Sequence, residues 1–280
     1  MTLKQAFDSA LKHLEAADTP SPRLSAELLL MFSLNCDRAY LFTYPERELT
    51  ADEQARYDEA IARRCHGEPA QYITGHQEFY GRDFLVSPAV LIPRPETEHL
   101  IEAVLELAPR EVRWEVLDVG TGSGCIAATL AKEFPRMKVT AVDISPEALQ
   151  IAQANAARLE AQVEFRVSDL LSAIEPGRQF DMIVSNPPYV GECEADKVQR
   201  QVKDFEPHCA VFGGERGMDI IKRLAPQVWE HLKPGGWFLM EIGYSIADPV
   251  HEIMRDWTNF KVVPDLRGIP RVVVGRKPTS

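Results

Sequence analysis

Between residues 112 and 243 the chain alternates apolar segments of strand length with amphipathic segments of helix length, and no other feature restricts its fold so tightly. "VRWEVLDVG" reads as a strand, and "GCIAATLAKEFP" as a helix closed by proline. "MKVTAVD" is the next strand, followed by the helix "SPEALQIAQANAARLE", with Ser145 placed to cap it and Pro146 at its first position. "VEFRVSD" and "FDMIVSN" are the third and fourth strands, and the helix "MDIIKRLAPQVWEHLK", interrupted by Pro226, leads into the strand "GWFLMEIG". Parallel strands need long crossovers and helices supply them, so the alternation implies an α/β fold with a mostly parallel sheet covered on both faces. Two closing β segments, "FKVVPDL" and "RVVVGRK", add an antiparallel strand.

The first 65 or so residues have a different pattern. "TLKQ" at Thr2–Gln5 and "TADE" at Thr50–Glu53 are capping boxes, and Ser21 before Pro22 reads as a further N-cap. Leu3, Phe7, Leu11 and Leu14 form one apolar stripe; Leu24, Leu28, Met31 and Phe32 a second; Tyr57, Ile61 and Cys65 a third. These are expected to meet in a small bundle core. "QYITGHQEFYGRDFLVSPAVLIPRP" then mixes β-branched and aromatic residues with Gly and Pro, as short strands do. The expected organisation is a helical domain at 1–70, a β-hairpin linker at 71–94, and the α/β domain at 95–280, opening on a helix from Pro95 to about Ala108.

With 31 Lys and Arg against 42 Asp and Glu, the net charge is −11, which argues against a general phosphate-binding surface. The five cysteines show no CxxC spacing, so reduced thiols in a cytoplasmic protein, and no metal, are expected. No apolar run approaches the roughly 18–20 residues that span a bilayer. The N-terminus reads as neither a secretory nor a transit signal.

At the end of the first strand, "LDVGTGSGC" sets Gly120, Gly122 and Gly124 at a strand-to-helix junction, where glycine lets the backbone approach a ligand. The dinucleotide pattern GxGxxG would need glycine at position 125, which is Cys125. The spacing GxGxG suits a nucleoside cofactor without pyrophosphate, and Asp118 favours a cationic one. Asp143 ends the second strand 23 residues beyond Gly120, near the spacing at which an acid grips ribose hydroxyls, and Asp169 ends the third, beside a potential adenine. Each carboxylate alone reads sooner as a helix cap or a solvated loop residue than as a ligand-binding group. Together at successive strand ends they point to one crevice, and to S-adenosylmethionine rather than NAD.

"VSNPPYV" follows, with Asn186 at the end of the fourth strand. Asn-Pro is a common turn former, but beside a sulfonium site it has chemical meaning. An amide or exocyclic amine nitrogen is planar, and its lone pair is delocalised. The Asn186 side-chain oxygen and the Pro187 carbonyl can accept both N–H groups of such a nitrogen and leave its lone-pair face toward the methyl. Tyr189 can stack on a flat amide or base.

Together these residues resemble the class I S-adenosylmethionine-dependent methyltransferases, with their Rossmann-like, mostly parallel seven-stranded sheet. More narrowly, the chain is similar to the release factor glutamine methyltransferase (HemK-like, or PrmC) family. The resemblance runs from about Pro69 to the end, through "YITGHQEFYGRDFLVSPAVLIPRPETE", "LDVGTGSGCIA", "VSNPPYV", "DFEPHCAVFGGERGMDII" and "DLRGIPRVVVGR". "LIPRPETE" is the most telling tract, because generic methyltransferases lack it. The resemblance implies N5-methylation of the glutamine in the Gly-Gly-Gln motif of peptide-chain release factors, with S-adenosylhomocysteine as co-product. It implies Gly120, Thr121, Gly122, Ser123 and Gly124 as the cofactor loop with Asp118 beside it, Asp143 on the ribose, and Asp169 and Leu170 at the adenine. Asn186, Pro187 and Tyr189 would be catalytic, Asn186 touching cofactor as well as substrate, and Pro188 would join them in holding the glutamine. The helical domain would dock the release factor, with the enzyme a monomer that binds neither nucleic acid nor membrane. Arg94 would line the entrance; an exposed loop arginine is the competing reading. The rival function is N-methylation of an exocyclic amine of adenine or guanine in nucleic acid, for which no target-recognition domain or basic stripe is evident. A cofactor-binding module without turnover would have no need of Asn-Pro-Pro-Tyr.

Overall fold

The computed structural model describes residues 1–279; Ser280, the last residue of the expected α/β domain, lies outside the described residues. Two compact units are present, one of Met1–His76 with Gln199–Phe205, the other of Gln77–Val198 and the chain from Glu206 onward.

The first unit carries α1 (Leu3–Ala16), α2 (Pro22–Leu34), α3 (Arg38–Thr43), α4 (Ala51–Cys65) and α5 (Ala70–Thr74). Both capping boxes form: the Thr2 hydroxyl accepts the Gln5 N–H at 3.2 Å while Gln5 Oε1 accepts that of Thr2 at 3.0 Å, and Thr50 and Glu53 do the same. Ser21 adopts φ 50 and makes no side-chain cap, leaving Pro22 alone to mark the start of α2. The short α3 was not evident in the sequence; Asp37 caps it through the Tyr40 N–H at 2.8 Å.

The stripe expected on α2 is a correction. Leu24 and Phe32 are exposed, and the buried face is Ser25, Ala26, Glu27, Leu29, Leu30 and Ser33. Polar partners account for the rotation. The Tyr57 hydroxyl of α4 donates to the Ala26 carbonyl at 3.0 Å and Glu27 pairs with Arg38 of α3, while Ser33 can be buried because its hydroxyl is satisfied within α2 by the Leu29 carbonyl at 2.8 Å. Similarly α1 turns Ala6 and Ala10 inward between Leu3 and Leu14, with Phe7 and Leu11 only half-buried. Small residues let helices approach closely, and apolar size alone does not reveal that.

The second unit begins with the hairpin β1 (His76–Phe79) and β2 (Arg82–Leu85), and α6 (Glu98–Leu107) follows a 3-10 turn at Pro95–Thr97. Then come β3 (Glu115–Val119), α7 (Cys125–Glu133), β4 (Lys138–Asp143), α8 (Pro146–Arg158), β5 (Val163–Val167) and β6 (Phe180–Ser185). After α9 (Arg200–Phe205), which belongs to the first unit, the chain forms α10 (His208–Val211), α11 (Asp219–His231), β7 (Leu232–Glu241), α12 (Ala247–Ile253), β8 (Thr258–Pro264) and β9 (Pro270–Arg276).

Residues 71–94 do not stand apart as a linker. α5 buries Ala70 and Ile73 in the first unit's core, whereas Phe79 and Phe84 of the hairpin lie fully buried in the core of the second. Asn155 of α8 pins β2 there, accepting the Leu85 N–H at 2.7 Å and donating to the Leu85 carbonyl at 2.9 Å. Pro226 likewise does not interrupt α11. Burial of Ile221, Leu224 and Val228 outweighs the roughly 3 kcal/mol that an interior proline costs.

The seven-stranded sheet runs β5-β4-β3-β6-β7-β9-β8, parallel except for β9, which is antiparallel to both neighbours. Chain order reverses between β3 and β6, which pair in parallel with Val119 opposite Ser185. The Ser185 hydroxyl donates to the Val119 carbonyl at 2.8 Å and ties the two ends together. Gly120 and Asn186 therefore leave the sheet side by side, at the switch point where open α/β sheets bind ligands.

Candidate active site

A cavity opens above these two strand ends. Gly120, Thr121, Gly122 and Ser123 form its floor, and Asp143, Asp169 and Leu170 its side. Gly120 and Gly122 adopt φ +74 and +55, and a Cβ at either would meet nothing within 4 Å. Their backbones thus face open space in a conformation that L side chains rarely adopt, as a cradle for a close-lying ligand requires. Gly124 does something else. It does not line the cavity, and a Cβ there would lie 3.0 Å from that of Ala152, so it is the glycine that lets α7 pack on α8.

The carboxylates separate into three kinds. Asp143 faces the cavity; its Oδ2 accepts the Gly122 N–H at 2.8 Å and its Oδ1 that of Ser145 at 3.0 Å. Burial raises its pKa, against the lowering effect of those backbone donors. Asp118 is fully buried, does not line the cavity, and accepts the Thr121 hydroxyl at 2.7 Å. It shapes the loop from beneath; burial pushes its carboxyl up to about 7. Asp169 lies two residues beyond the end of β5, half-exposed, and pairs with Arg223 of α11 at 2.6 Å. Leu170 beside it takes φ 51, a strained conformation for a branched side chain, and lines the cavity.

Opposite the glycine loop stands the Asn-Pro-Pro-Tyr segment. Asn186 and Pro188 line the cavity, while Pro187 is buried and, like Tyr189, does not reach the cavity lining. Asn186 donates from Nδ2 to the Thr97 hydroxyl at 3.2 Å, which leaves its Oδ1 to act as an acceptor. The Tyr189 ring, expected as a stacking surface, instead packs toward Gly243, with its hydroxyl donating to Glu241 Oε1 at 3.0 Å. The backbone behind it is clasped by the following loop: Gly213 N–H donates to the Val190 carbonyl at 2.9 Å, and a side chain at Gly217 would collide with the Tyr189 carbonyl.

The tract "LIPRPETE" supplies the remaining wall through Leu91, Pro93, Arg94 and Thr97. Arg94 is not a free loop arginine. It lines the cavity and donates at 2.5 Å to Glu206, whose carboxylate is almost wholly buried and also takes the Ile92 N–H at 3.4 Å. Burial raises the pKa of Glu206 while Arg94 pulls it back down. Sequence reading missed Thr97, Glu206, Arg223 and Glu241; the only signal was that two of them fall within tracts already quoted for the resemblance. No helix among the described residues is long and apolar enough to cross a membrane.

Residues 5–75 match the PrmC N-terminal domain family, and residues 97–205 match the methyltransferase small domain family. A release factor glutamine methyltransferase of Geobacter sulfurreducens is 39% identical over 277 residues, covering 98% of this chain and 96% of that one. One from Moorella thermoacetica is 41% identical over 276 residues, covering 97% of each. Among solved structures, a methyltransferase from Pyrococcus furiosus superposes with a TM-score of 0.54 at 22% identity, over 82% of this chain and all of that one. A Thermus thermophilus 16S rRNA N2 G1207 methyltransferase, solved with AdoMet and guanosine, gives 0.54 at 21% identity, over 72% of this chain and 49% of that one. The two structural likenesses establish the class I methyltransferase fold. Sequence identity over nearly the whole chain places this protein in the release factor glutamine methyltransferase family.

Proposed function

We propose that the chain methylates N5 of the glutamine in the Gly-Gly-Gln motif of peptide-chain release factors, using S-adenosylmethionine and working in the cytoplasm. The observation that carries this reading is the orientation of Asn186: its NH₂ faces Thr97 and gives that hydroxyl one of its two hydrogens, which leaves its oxygen, unpaired among the described residues, to accept a substrate N–H. S-adenosylmethionine, when bound, supplies an electrophilic methyl on a positively charged sulfur. Gly120, Thr121, Gly122 and Ser123 would hold its amino-acid end, Asp143 its ribose hydroxyls, and Asp169 with Leu170 its base. The open space beside Gly120 and Gly122 and the acceptor character of Asp143 fit such a group. Asp118 and Gly124 support the loop without touching the ligand.

On the other side, Asn186 Oδ1 accepts one N–H of the glutamine amide and helps turn its lone-pair face inward; Pro187, expected as the second acceptor, does not line the cavity in this structure. Holding the nitrogen in line makes transfer effectively unimolecular, an effect that can remove roughly 7–11 kcal/mol of barrier. The nitrogen sheds a proton after transfer, so the site needs no strong base. Arg94, held by Glu206, lines the entrance for the incoming loop, and the helical unit docks the body of the release factor.

The test pairs purified enzyme and methyl-labelled S-adenosylmethionine with a release factor in one reaction and RNA or DNA in another. Label on the Gly-Gly-Gln glutamine is expected. Label on a nucleobase instead would replace this reading with an exocyclic-amine methyltransferase.

A further inference from the structure

One arginine in the cavity wall is held more firmly than a lining residue needs to be. Arg94 stands between Pro93 and Pro95, and the second proline restricts it to extended backbone, here φ −102 and ψ 144. Its carbonyl accepts the Thr97 N–H at 3.0 Å, closing the turn whose far end meets Asn186. The head of the side chain is fixed as well. Nη2 donates to Glu206 Oε1 at 2.5 Å, and Glu206 Oε2 takes the N–H of Ile92, two residues before the arginine, at 3.4 Å. The Glu206 side chain is 1% exposed, against 29% for Arg94.

Such an arrangement does little for stability. Coulombic attraction rarely offsets the desolvation of a buried ion pair, and an apolar pair of similar size is often at least as stable. What the pair does provide is a guanidinium already in place. An arginine side chain has large rotamer entropy, and a ligand that meets it ordered loses no affinity to ordering it. Nη2 is the nitrogen spent on Glu206; Nε and Nη1 donate to nothing among the described residues and remain for a ligand. Because they are donors only, that ligand must offer oxygen acceptors. Arg94 and Arg223 are the cations in the cavity lining, and Arg223 is already paired with Asp169 on the side assigned to the base. Arg94 lies instead on the turn that reaches Asn186. An entering Gly-Gly-Gln segment carries main-chain carbonyls, and its two glycines have no side chain to screen them from a planar fork.

We propose that Glu206 is a positioning residue, which fixes the Arg94 guanidinium so that Nε and Nη1 capture main-chain carbonyls of the Gly-Gly-Gln segment as it enters. This rests on the reading of a release factor as the substrate.

The test compares wild type with R94A, R94K, E206L, E206Q and the double variant R94A/E206L, with intact release factor as substrate and a denaturant melt for each. R94A is expected to raise the KM for release factor about 10- to 100-fold, as loss of hydrogen bonds from a charged donor does. E206L, which leaves the arginine free to swing, should raise it about 3- to 10-fold. In both, kcat at saturation and cofactor affinity by calorimetry should stay within about threefold of wild type. R94A/E206L should be no worse than R94A, since the acid acts only through the arginine. E206Q, whose amide oxygen can still accept from Nη2, should recover most of the affinity; R94K, which keeps the charge without the fork, should not.

An unchanged KM in R94A or E206L overturns the proposal, as does a fully additive loss in the double variant. A fall of about tenfold in cofactor affinity in R94A, with the KM for release factor unchanged, would give the guanidinium to the cofactor carboxylate and overturn it too. Should E206L fail to fold, R94K decides, because a wild-type KM there rules out the fixed fork. A second readout needs no turnover: the Arg94 guanidinium N–H resonances, assigned by their loss in R94K, should be resolved in wild type and averaged by rotation in E206L. Resolved resonances in a wild type that leaves release factor unlabelled would overturn the substrate reading and leave Glu206 its hold on Arg94. Labelled release factor with resonances alike in wild type and E206L would overturn the positioning role.

Discussion

The two walls of the cavity are built by different means. The glycine wall is local: one run of four residues, 120–123, whose backbone makes the cradle, and one acid, Asp143, held by two backbone N–H groups from that loop and its own turn. The opposite wall and its backing are assembled at long range: Asn186 answers to Thr97, Tyr189 to Glu241, and Arg94 to Glu206. Backbone geometry tolerates side-chain change around it but not the loss of glycine. A chain of side-chain hydrogen bonds fails wherever one partner is lost, because the group left behind is buried and unpaired.

The sharpest way to break this contrast is Asn186→Ala. Loss of kcat by about 10³-fold, with cofactor affinity within a few-fold, is expected if that side chain serves the transition state alone; near-normal turnover on a release factor would refute it. Asp143→Ala should act in the opposite sense. Cofactor affinity by calorimetry should fall tens of fold, since a charge-assisted hydrogen bond contributes about 1.5–3 kcal/mol, while kcat at saturating cofactor changes little. Unchanged affinity would remove Asp143 from the cofactor wall.

Gly124→Val separates the loop's ligand-facing glycines from its packing glycine. At φ +79, with Ala152 only 3.0 Å from the added carbon, the variant should lose about 2–4 kcal/mol of stability in a denaturant melt. Affinity per folded molecule should survive better than in Gly122→Val, whose side chain would point into the cradle. Equal losses of affinity in both would contradict the division.

Asp118→Asn carries the smallest expected effect, and it concerns pH. The folded carboxyl is raised from 3.8 to about 7 by burial, so between those values the folded state holds a proton that the unfolded state has released. Its contribution to stability is complete below about pH 4 and lost as pH rises through 7. The melting temperature of the variant relative to wild type should therefore climb from pH 4 to pH 8. A flat difference would show that Asp118 titrates as an ordinary surface acid.

Much of the fold was legible in the chain because its signals are local. Capping at Thr2, Thr50 and Ser145 depends on residues three apart, and the strands from Glu115 to Glu241 announce themselves by short segments rich in β-branched and other apolar residues. Two local readings failed where packing overrode them. Pro226 sits inside a continuous helix, and α2 turns Leu24 and Phe32 outward in favour of smaller residues with fixed partners.

The site divides along the same line. By itself the sequence picked out the glycine cradle, the acid at Asp143 and Asn186, all of which line one cavity, because each follows from residue type at a strand end. Only the tertiary structure decided which acids face the cavity, which lie beneath it, and which hydroxyl meets the Asn186 amide. Asp118 and Asp143 look alike in the chain, yet one is sealed under the loop and the other opens onto the cavity. Hydrogen-bond direction is a property of neighbours in space, and Thr97 and Asn186 become neighbours only when the turn before α6 packs against the end of β6.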